Sequence, residues 1–451
     1  MSKQKIQLSD HFDYSRLLRF VLPCIGTMLF TSIYGIVDGL CVSNFVGKTA
    51  FAAVNLIMPL PMLLGSVGFM LGTGGSAIVG ITLGEGDREK ADRYFSLFVW
   101  TGLVAGLLLA VIGFFAVRPA AALLGAEGEM LDYAVRYGRL LMLSLPFFIL
   151  QNMFQSFFVT AEKPHLGFAF TVAAGVTNMV LDVVLVGMLH GGVEGAAIAT
   201  FISQAVGGVL PVFYFLNKRS TSSIHLGRAQ WNGGVIRSAC INGSSELMTN
   251  LSMSLVNILY NYQLLRFAGE NGVAAYGVIM YAAFLFVAVF VGYAVGSAPI
   301  VSYHYGARNH AELNNLYSKS LRLIGVIAVV MTALSMLVIP YVARIFVGYD
   351  AELLALTSHA FRVYALNFFL MGFNVYGSSF FTALGDGVTS ALISFLRTLL
   401  FQLLALIFLP MVLGIEGVWL AVTAAEAGAL CVTVLMFITK DKVFHYRKAS
   451  C

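Results

Sequence analysis

Charge is what this sequence has least of. Only 11% of its 451 residues are Asp, Glu, Lys or Arg, against roughly a quarter in soluble domains, and the mean hydropathy is +0.85. A soluble globular chain is thereby excluded. The net charge of +5 is scattered between apolar runs and forms no single basic face, so no nucleic-acid partner is expected. Cysteine is also scarce: Cys24, Cys41, Cys240, Cys431 and Cys451 have neither paired nor metal-ligand spacing, and they read as small apolar residues. HExxH, P-loop, kinase and serine-nucleophile signatures are missing. No ATP hydrolysis, enzymatic chemistry or organic cofactor is expected. A cleavable leader is not expected either, because the first apolar run is long, is interrupted by Asp38 and lacks a small-residue cleavage site.

What is present is apolar sequence in long runs. Twelve stretches of 18 or more residues can each cross a hydrocarbon core of about 30 Å, at approximately 16–44, 51–83, 94–117, 133–160, 166–189, 193–216, 235–265, 272–304, 323–343, 355–383, 388–410 and 416–438. The expected fold is an all-α polytopic membrane protein of twelve transmembrane helices. Lys and Arg concentrate in alternate connecting segments, among them Lys3, Lys5, Arg88, Lys90, Lys218, Arg219, Lys440 and Lys448. By the positive-inside bias, both termini are expected on the cytoplasmic side of the cytoplasmic (inner) membrane.

The chain also repeats itself. At an offset of 222 residues, Phe45, Gly47, Ala52 and Met58 fall on Phe267, Gly269, Ala274 and Met280, Gly84 on Gly306, Asn152 on Asn374, and Glu194-Gly195 on Glu416-Gly417. Matched glycines, amides and acids at one constant offset are not a by-product of apolar composition. Each copy has six spans, so the copies share one orientation and are related by a pseudo-two-fold axis along the membrane normal. The expected organisation is a first lobe at 1–216, a Ser-, Gly- and Lys/Arg-rich linker at 217–234 and a second lobe with its tail at 235–451. Such a plan suits alternating access, with substrate held between lobes.

Polar groups inside the spans carry the functional signal. Asn178 and Asp182 leave the same face of the fifth span one turn apart, and Asp38 follows Tyr34 by four residues on the first; Thr200 lies on the sixth. An aspartate at the centre of a lone membrane helix costs about 2.5–3.5 kcal/mol, so it is expected to face protein or a wet cavity. Together Asp38, Asn178, Asp182 and Thr200 make an oxygen-rich cluster suited to a hard monovalent cation such as Na⁺, or to a proton shared between carboxylates. The alternative is that Asp38 lies near a membrane surface and that Asn178 satisfies Asp182. At the repeat offset Asp38 and Asp182 correspond to Tyr260 and Leu404, so the first lobe alone carries the pair. In the second lobe Glu246 is flanked by Asn242 and Asn250, with Asn257 and Asn261 beyond. This stripe reads either as a wet wall or as amides that pack helices. Asn374, Arg397 and Glu426 follow, and the last two could pair structurally.

Proline and glycine add geometry. Pro23, Pro59, Pro61, Pro146 and Pro299 mark candidate kinks, and Pro23 stands about four turns before Asp38. Gly68-x-x-x-Gly72 and Gly292-x-x-x-Gly296 are expected to allow close helix packing.

In combination the segments Tyr34-Gly-Ile-Val-Asp38, Gly84-Glu-Gly-Asp-Arg88, Asn178-Met-Val-Leu-Asp182 and Gly195-Ala-Ala-Ile-Ala-Thr200, with Pro299-Ile-Val-Ser-Tyr303 and Gly306-Ala-Arg-Asn309 after the eighth span, closely resemble the multidrug and toxic compound extrusion (MATE) family. Its wider superfamily includes polysaccharide and lipid flippases. The resemblance implies a monomeric secondary antiporter that exports amphipathic or cationic organic compounds in exchange for Na⁺ or H⁺. It places Asp38, Asn178, Asp182 and Thr200 at the coupling-ion site and Pro23 at the bend of the first helix. Tyr34, Gln155, Asn242, Glu246, Asn250 and Asn374 are further candidate contacts for ion or substrate. Gln155 departs from the asparagine or acid of some relatives, and the tenth span lacks an acid that some carry. The competing implication is a flippase for a lipid-linked precursor, which would require a strongly basic central cavity.

Overall fold

The computed structural model describes residues 6–447, with the side chains at 39–44 and 48 left aside. Cys451, Lys3, Lys5, Lys448 and the side chain of Cys41 thus lie outside the described residues. Among the described residues the chain is helical without strands. Its elements are α1 (Tyr14–Phe45), α2 (Lys48–Ile57), α3 (Pro59–Gly84), α4 (Arg88–Leu123), α5 (Gly128–Thr160), α6 (Pro164–Leu181) with a π-helical extension Asp182–Met188, and α7 (Gly192–Leu216). The second half runs α8 (Gly233–Asn242), α9 (Ser244–Gly306), α10 (His310–Val347), α11 (Ala351–Ala365), α12 (Phe368–Ala383), α13 (Gly387–Phe395), a π-helical segment Leu396–Leu400, α14 (Phe401–Leu413), α15 (Ile415–Thr439) and the short α16 (Asp441–Phe444).

These helices make twelve spans in two six-helix lobes. The 63-residue α9 is two spans joined at Gly269, whose φ of 59° and ψ of −149° are not helical. Helices α11 and α12 form one span bent by 46°, and α2 and α3 another, divided where Pro59 opens α3. The repeat is written in the backbone. Gly47 and Gly269 have φ of 109° and 59°, Gly192 and Gly414 of 58° and 60°, and Gly86 and Arg308 of 87° and 54°; all three pairs stand at the offset seen in the sequence. Positive φ is the region glycine enters without a Cβ penalty, which explains why these glycines recur. The next residues recur too: Asp87 caps α4 through Lys90 N, and Asn309 caps α10 through Glu312 N.

Most flagged prolines sit inside uninterrupted helices. Pro23 lies within α1, Pro146 within α5 and Pro299 within α9. A proline removes one intrahelical bond, and neighbouring packing keeps the helix going. The joining segment 217–232 is not a free tether: its Ile224 and Leu226 are buried in the first-lobe core, and His225 N and Gly227 N donate to Asp92 Oδ1 (2.7 Å) and Ser96 Oγ (2.9 Å). Residues 233–234, expected in the linker, open α8 instead.

Glycine controls how the lobes meet. Gly68 of α3 lies where a Cβ would be 2.7 Å from Ile149 O, so this glycine packs α3 on α5 within the first lobe. Gly292 of α9 lies where a Cβ would be 2.5 Å from Ile25 Cα, and a Cβ on Gly296 would be 3.1 Å from Val21 Cα, so the corresponding glycines pack α9 on α1 across the lobes. Gly84 and Gly306 bring α3 and α9 into backbone contact near the end from which α1 starts. At that end the segment before α1 ties both lobes together: Leu8 N donates to Glu162 Oε1 (2.9 Å), while Phe12 N donates to Glu312 Oε1 (2.9 Å) and Phe12 O accepts from Lys319 Nζ (2.7 Å).

Candidate functional site

Asp182 is fully buried and opens the π-helical extension of α6. A π-helical turn inserts an extra residue and re-aims the side chains that follow, a feature frequent at functional sites. One turn earlier Asn178 is 2% exposed, and Gly175, another turn back, lies where a Cβ would be 2.5 Å from the Phe30 ring. That glycine lets α6 approach α1 closely enough for the α1 acid to reach the α6 acid. Asp38 and Asp182 stand side by side, and Tyr34 lies next to Asp38 on its own helix.

Around this pair, hydrogen-bonding capacity goes unused. Neither oxygen of Asp182, nor Asp38 Oδ1, Asn178 Nδ2 or Thr200 Oγ1, has a partner in good hydrogen-bond geometry. Asn178 therefore does not satisfy Asp182. Polar atoms this buried are ordinarily paired, so a cluster of open acceptors on two neighbouring carboxylates has the composition of a cation or proton site. The open oxygens fit Na⁺ in kind, being carboxylate and hydroxyl oxygens of Asp38, Asp182 and Thr200 from three helices, whereas the open atom of Asn178 is its amide nitrogen.

Tyr137 of α5 is a residue that the sequence reading missed. It is fully buried, its hydroxyl has no partner in good geometry, and it lies within electrostatic reach of Asp38 and Asp182 and beside Thr200. Thr200 also lines a small cavity of about 40 Å³ with Gln204, whose Oε1 is likewise buried and unpartnered. Gln155 is elsewhere, facing Cys24, Thr27 and Met28 of α1.

The second-lobe candidates divide. Asn242 Nδ2 donates to Thr382 O (2.8 Å) and Asn250 Nδ2 to Glu246 O (2.9 Å), so both amides are engaged with backbone. Asn374 donates to Glu426 O (2.9 Å) and Glu426 Oε2 (2.7 Å) and accepts from Thr433 Oγ1 (2.8 Å). Glu426 Oε1 in turn lies 3.2 Å from Arg397 Nε, so that acid and Arg397 pair. Glu246 lines a cavity of about 110 Å³ between the lobes.

The comparisons agree with this architecture. The MatE family model matches residues 23–184 and again residues 247–407, one copy in each lobe. The multidrug export protein MepA of Staphylococcus haemolyticus is 24% identical over 437 residues, covering 97% of this chain and 95% of its own; MepA of Staphylococcus saprophyticus is 23% identical over 434 residues, with 95% of each covered. The crystal structure of MATE in complex with MaL6 superposes with a TM-score of 0.92 at 24% identity over 98% of this chain and 100% of that one. An outward-facing MATE family transporter of the MOP superfamily gives 0.91 at 24% identity, with 99% of each covered. Matched twice by one family model over most of its length, the chain belongs to the MatE family of membrane transporters and is not an enzyme.

Proposed function

We propose that the protein is a cation-coupled antiporter that exports amphipathic or cationic organic compounds across the cytoplasmic membrane, with both termini cytoplasmic. The observation that carries this reading is the pair of buried Asp182 and half-buried Asp38 with its unpartnered oxygens, set in one lobe of a two-lobe repeat. Na⁺ or H⁺ entering this cluster removes the repulsion between carboxylates and favours one arrangement of α1 against α6. Drug binding between the lobes favours the other, so the two ligands compete through conformation. In the proposed orientation the end where Gly84 and Gly306 pack α3 on α9 is the cytoplasmic one. Pro23 then lies at the level of the α1–α9 contact made through Val21 and Ile25, where a bend in α1 alters inter-lobe packing.

Asp182→Asn in proteoliposomes should abolish gradient-driven efflux of a cationic dye while the protein keeps its melting profile. Undiminished efflux would sink the assignment. Imposing ΔpH and a Na⁺ gradient separately identifies the coupling ion. The flippase alternative needs a basic inter-lobe cavity, and the one lined by Glu246 carries a single arginine, Arg397.

A further inference from the structure

The inter-lobe cavity of about 110 Å³ carries Glu246 on α9 and Arg397 on the second π-helical segment, among the hydroxyls of Thr73, Ser76, Ser245 and Ser378. Glu246 and Arg397 sense each other's charge, but neither a hydrogen bond nor an ion pair joins them among the described residues. Opposite charges in low-dielectric surroundings attract strongly and close on each other unless something holds them apart. Here the restraint is visible. Arg397 Nε lies 3.2 Å from Glu426 Oε1, and Asn374, itself held by Thr433, fixes Glu426 from behind. The Arg397 side chain is 13% exposed and lines the cavity.

A guanidinium has five donors, and an ion pair through Nε leaves its outer edge able to take a planar acid group in bidentate fashion. Thr73 and Ser76 donate their hydroxyls to Phe69 O and Thr73 O, which leaves their lone pairs able to accept from an ammonium. A purely cationic ligand would find Glu246 and leave the outer edge of Arg397 unused. One that carries both charges meets neither an unpaired carboxylate nor an unpaired guanidinium.

We infer that Arg397 is a specificity-determining residue, whose guanidinium edge receives the carboxylate of a zwitterionic organic substrate while the substrate's ammonium group meets Glu246. The inference rests on the export reading and narrows its substrate class. Glu426 is then a positioning residue, acting through Arg397.

The test uses the full-length protein in proteoliposomes with two fluorescent probes: an amino-xanthene dye bearing a free carboxylate, which is a zwitterion, and its methyl ester, a cation of nearly equal size. In Arg397→Gln the ratio of zwitterion to ester transport should fall at least about tenfold, the scale of one lost charge-assisted hydrogen bond. Arg397→Lys, which keeps the charge and loses the fork, should fall between that variant and the wild type. The double variant Arg397→Gln/Glu426→Gln leaves no orphaned acid, so it carries the same test should the single variant fail to fold, and the same fall in ratio is expected. An unchanged ratio in the folded variants would overturn the inference, as would wild-type protein that moves the ester and not the zwitterion; in the latter case the export reading stands. If neither dye moves, the export reading falls and takes the inference with it.

Discussion

In the first lobe the fifth span turns π-helical at Asp182, and in the second its counterpart, the eleventh, turns π-helical at Leu396, one residue before Arg397. Equivalent helices thus bend into the same irregular geometry and present opposite charges. The difference extends to what surrounds them. Asp182 faces another carboxylate, a group of like charge, with neither oxygen in good hydrogen-bond geometry, whereas Arg397 faces Glu426, a group of opposite charge whose other oxygen is tied to Asn374. An open cluster can gain and lose a cation, and a closed ion pair cannot do so without exposing a buried charge. Duplication supplied one scaffold with two irregular helices, and the pair of carboxylates stands beside the first of them alone.

The largest expected effect follows directly. Removing the Asp182 charge should reduce coupled efflux to the level of empty vesicles, while Glu426→Gln should leave the dependence of flux on the ion gradient in place and act on the amount of folded protein. If Glu426→Gln instead removed gradient dependence, the two lobes would share the coupling role.

Stability should show the opposite ranking. Glu426→Leu leaves the largely buried Arg397 without its ion-pair partner, which costs up to about 3–5 kcal/mol, and the double variant Arg397→Met/Glu426→Leu should recover much of that loss. Unfolding of the purified protein in mixed micelles measures the cycle. Near-additivity of the two single losses would mean that the pair is not coupled. Asp182→Asn should destabilise far less, or stabilise, because it relieves a buried carboxylate pair.

How much of this was legible in the sequence depends on whether a feature is set by one helix or by several. Span number and the repeat were legible because hydropathy and the positive-φ glycines Gly47, Gly269, Gly192 and Gly414 are local requirements. The Asn178–Asp182 face was legible from spacing alone. Tyr137 was not, since a tyrosine between Arg136 and Arg139 at a span end reads as an interfacial aromatic, and only the packing of α5 against α6 and α7 turns it inward. Asn242 and Asn374 read as candidate ligands because sequence does not say which carbonyl lies opposite an amide. The break at Leu366–Asn367 has no proline to announce it; Asn367, fully buried, bonds Tyr364 O there.

The turns that lead into the equivalent helices α6 and α13 sharpen the comparison at intermediate scale. Asp386 caps α13 through Thr389 N (3.1 Å) and Thr389 Oγ1 (2.7 Å) and pairs with Lys440 Nζ at 2.7 Å, whereas the N-cap of α6 is Lys163, which makes no side-chain cap. Burial pushes the Asp386 carboxyl up, but the Lys440 ammonium and the Thr389 donors outweigh it and bring it below the usual carboxylate value. The sign follows: with a lowered folded-state pKa, the stabilisation is present above the unfolded carboxylate value and is lost as pH falls through the folded one. Asp386→Asn should cost about 1–2 kcal/mol near neutrality, and the difference from wild type should shrink in acid. A gap that stayed constant with pH would assign the loss to packing and not to charge.

The smallest expected effect concerns a repeated turn where the lobes differ in backbone chemistry, as they also do at Glu162 and Gly385 before α6 and α13. Gly86 and Arg308 occupy the same place after α3 and α9 with φ of 87° and 54°, yet only the first lobe uses glycine. A residue with a Cβ costs roughly 1–2 kcal/mol in this region, partly offset because glycine gives up about 0.4–1 kcal/mol more chain entropy on folding. A Cβ on Gly86 would meet nothing within 4 Å, so Gly86→Ala should lose about 1 kcal/mol through backbone strain alone. Arg308→Gly should gain about 0.5 kcal/mol on the same reckoning. Paired unfolding measurements on the two variants test this. Changes of opposite sign are expected if the turns are equivalent, and a loss in both would show that the Arg308 side chain stabilises its turn by more than its backbone strain removes.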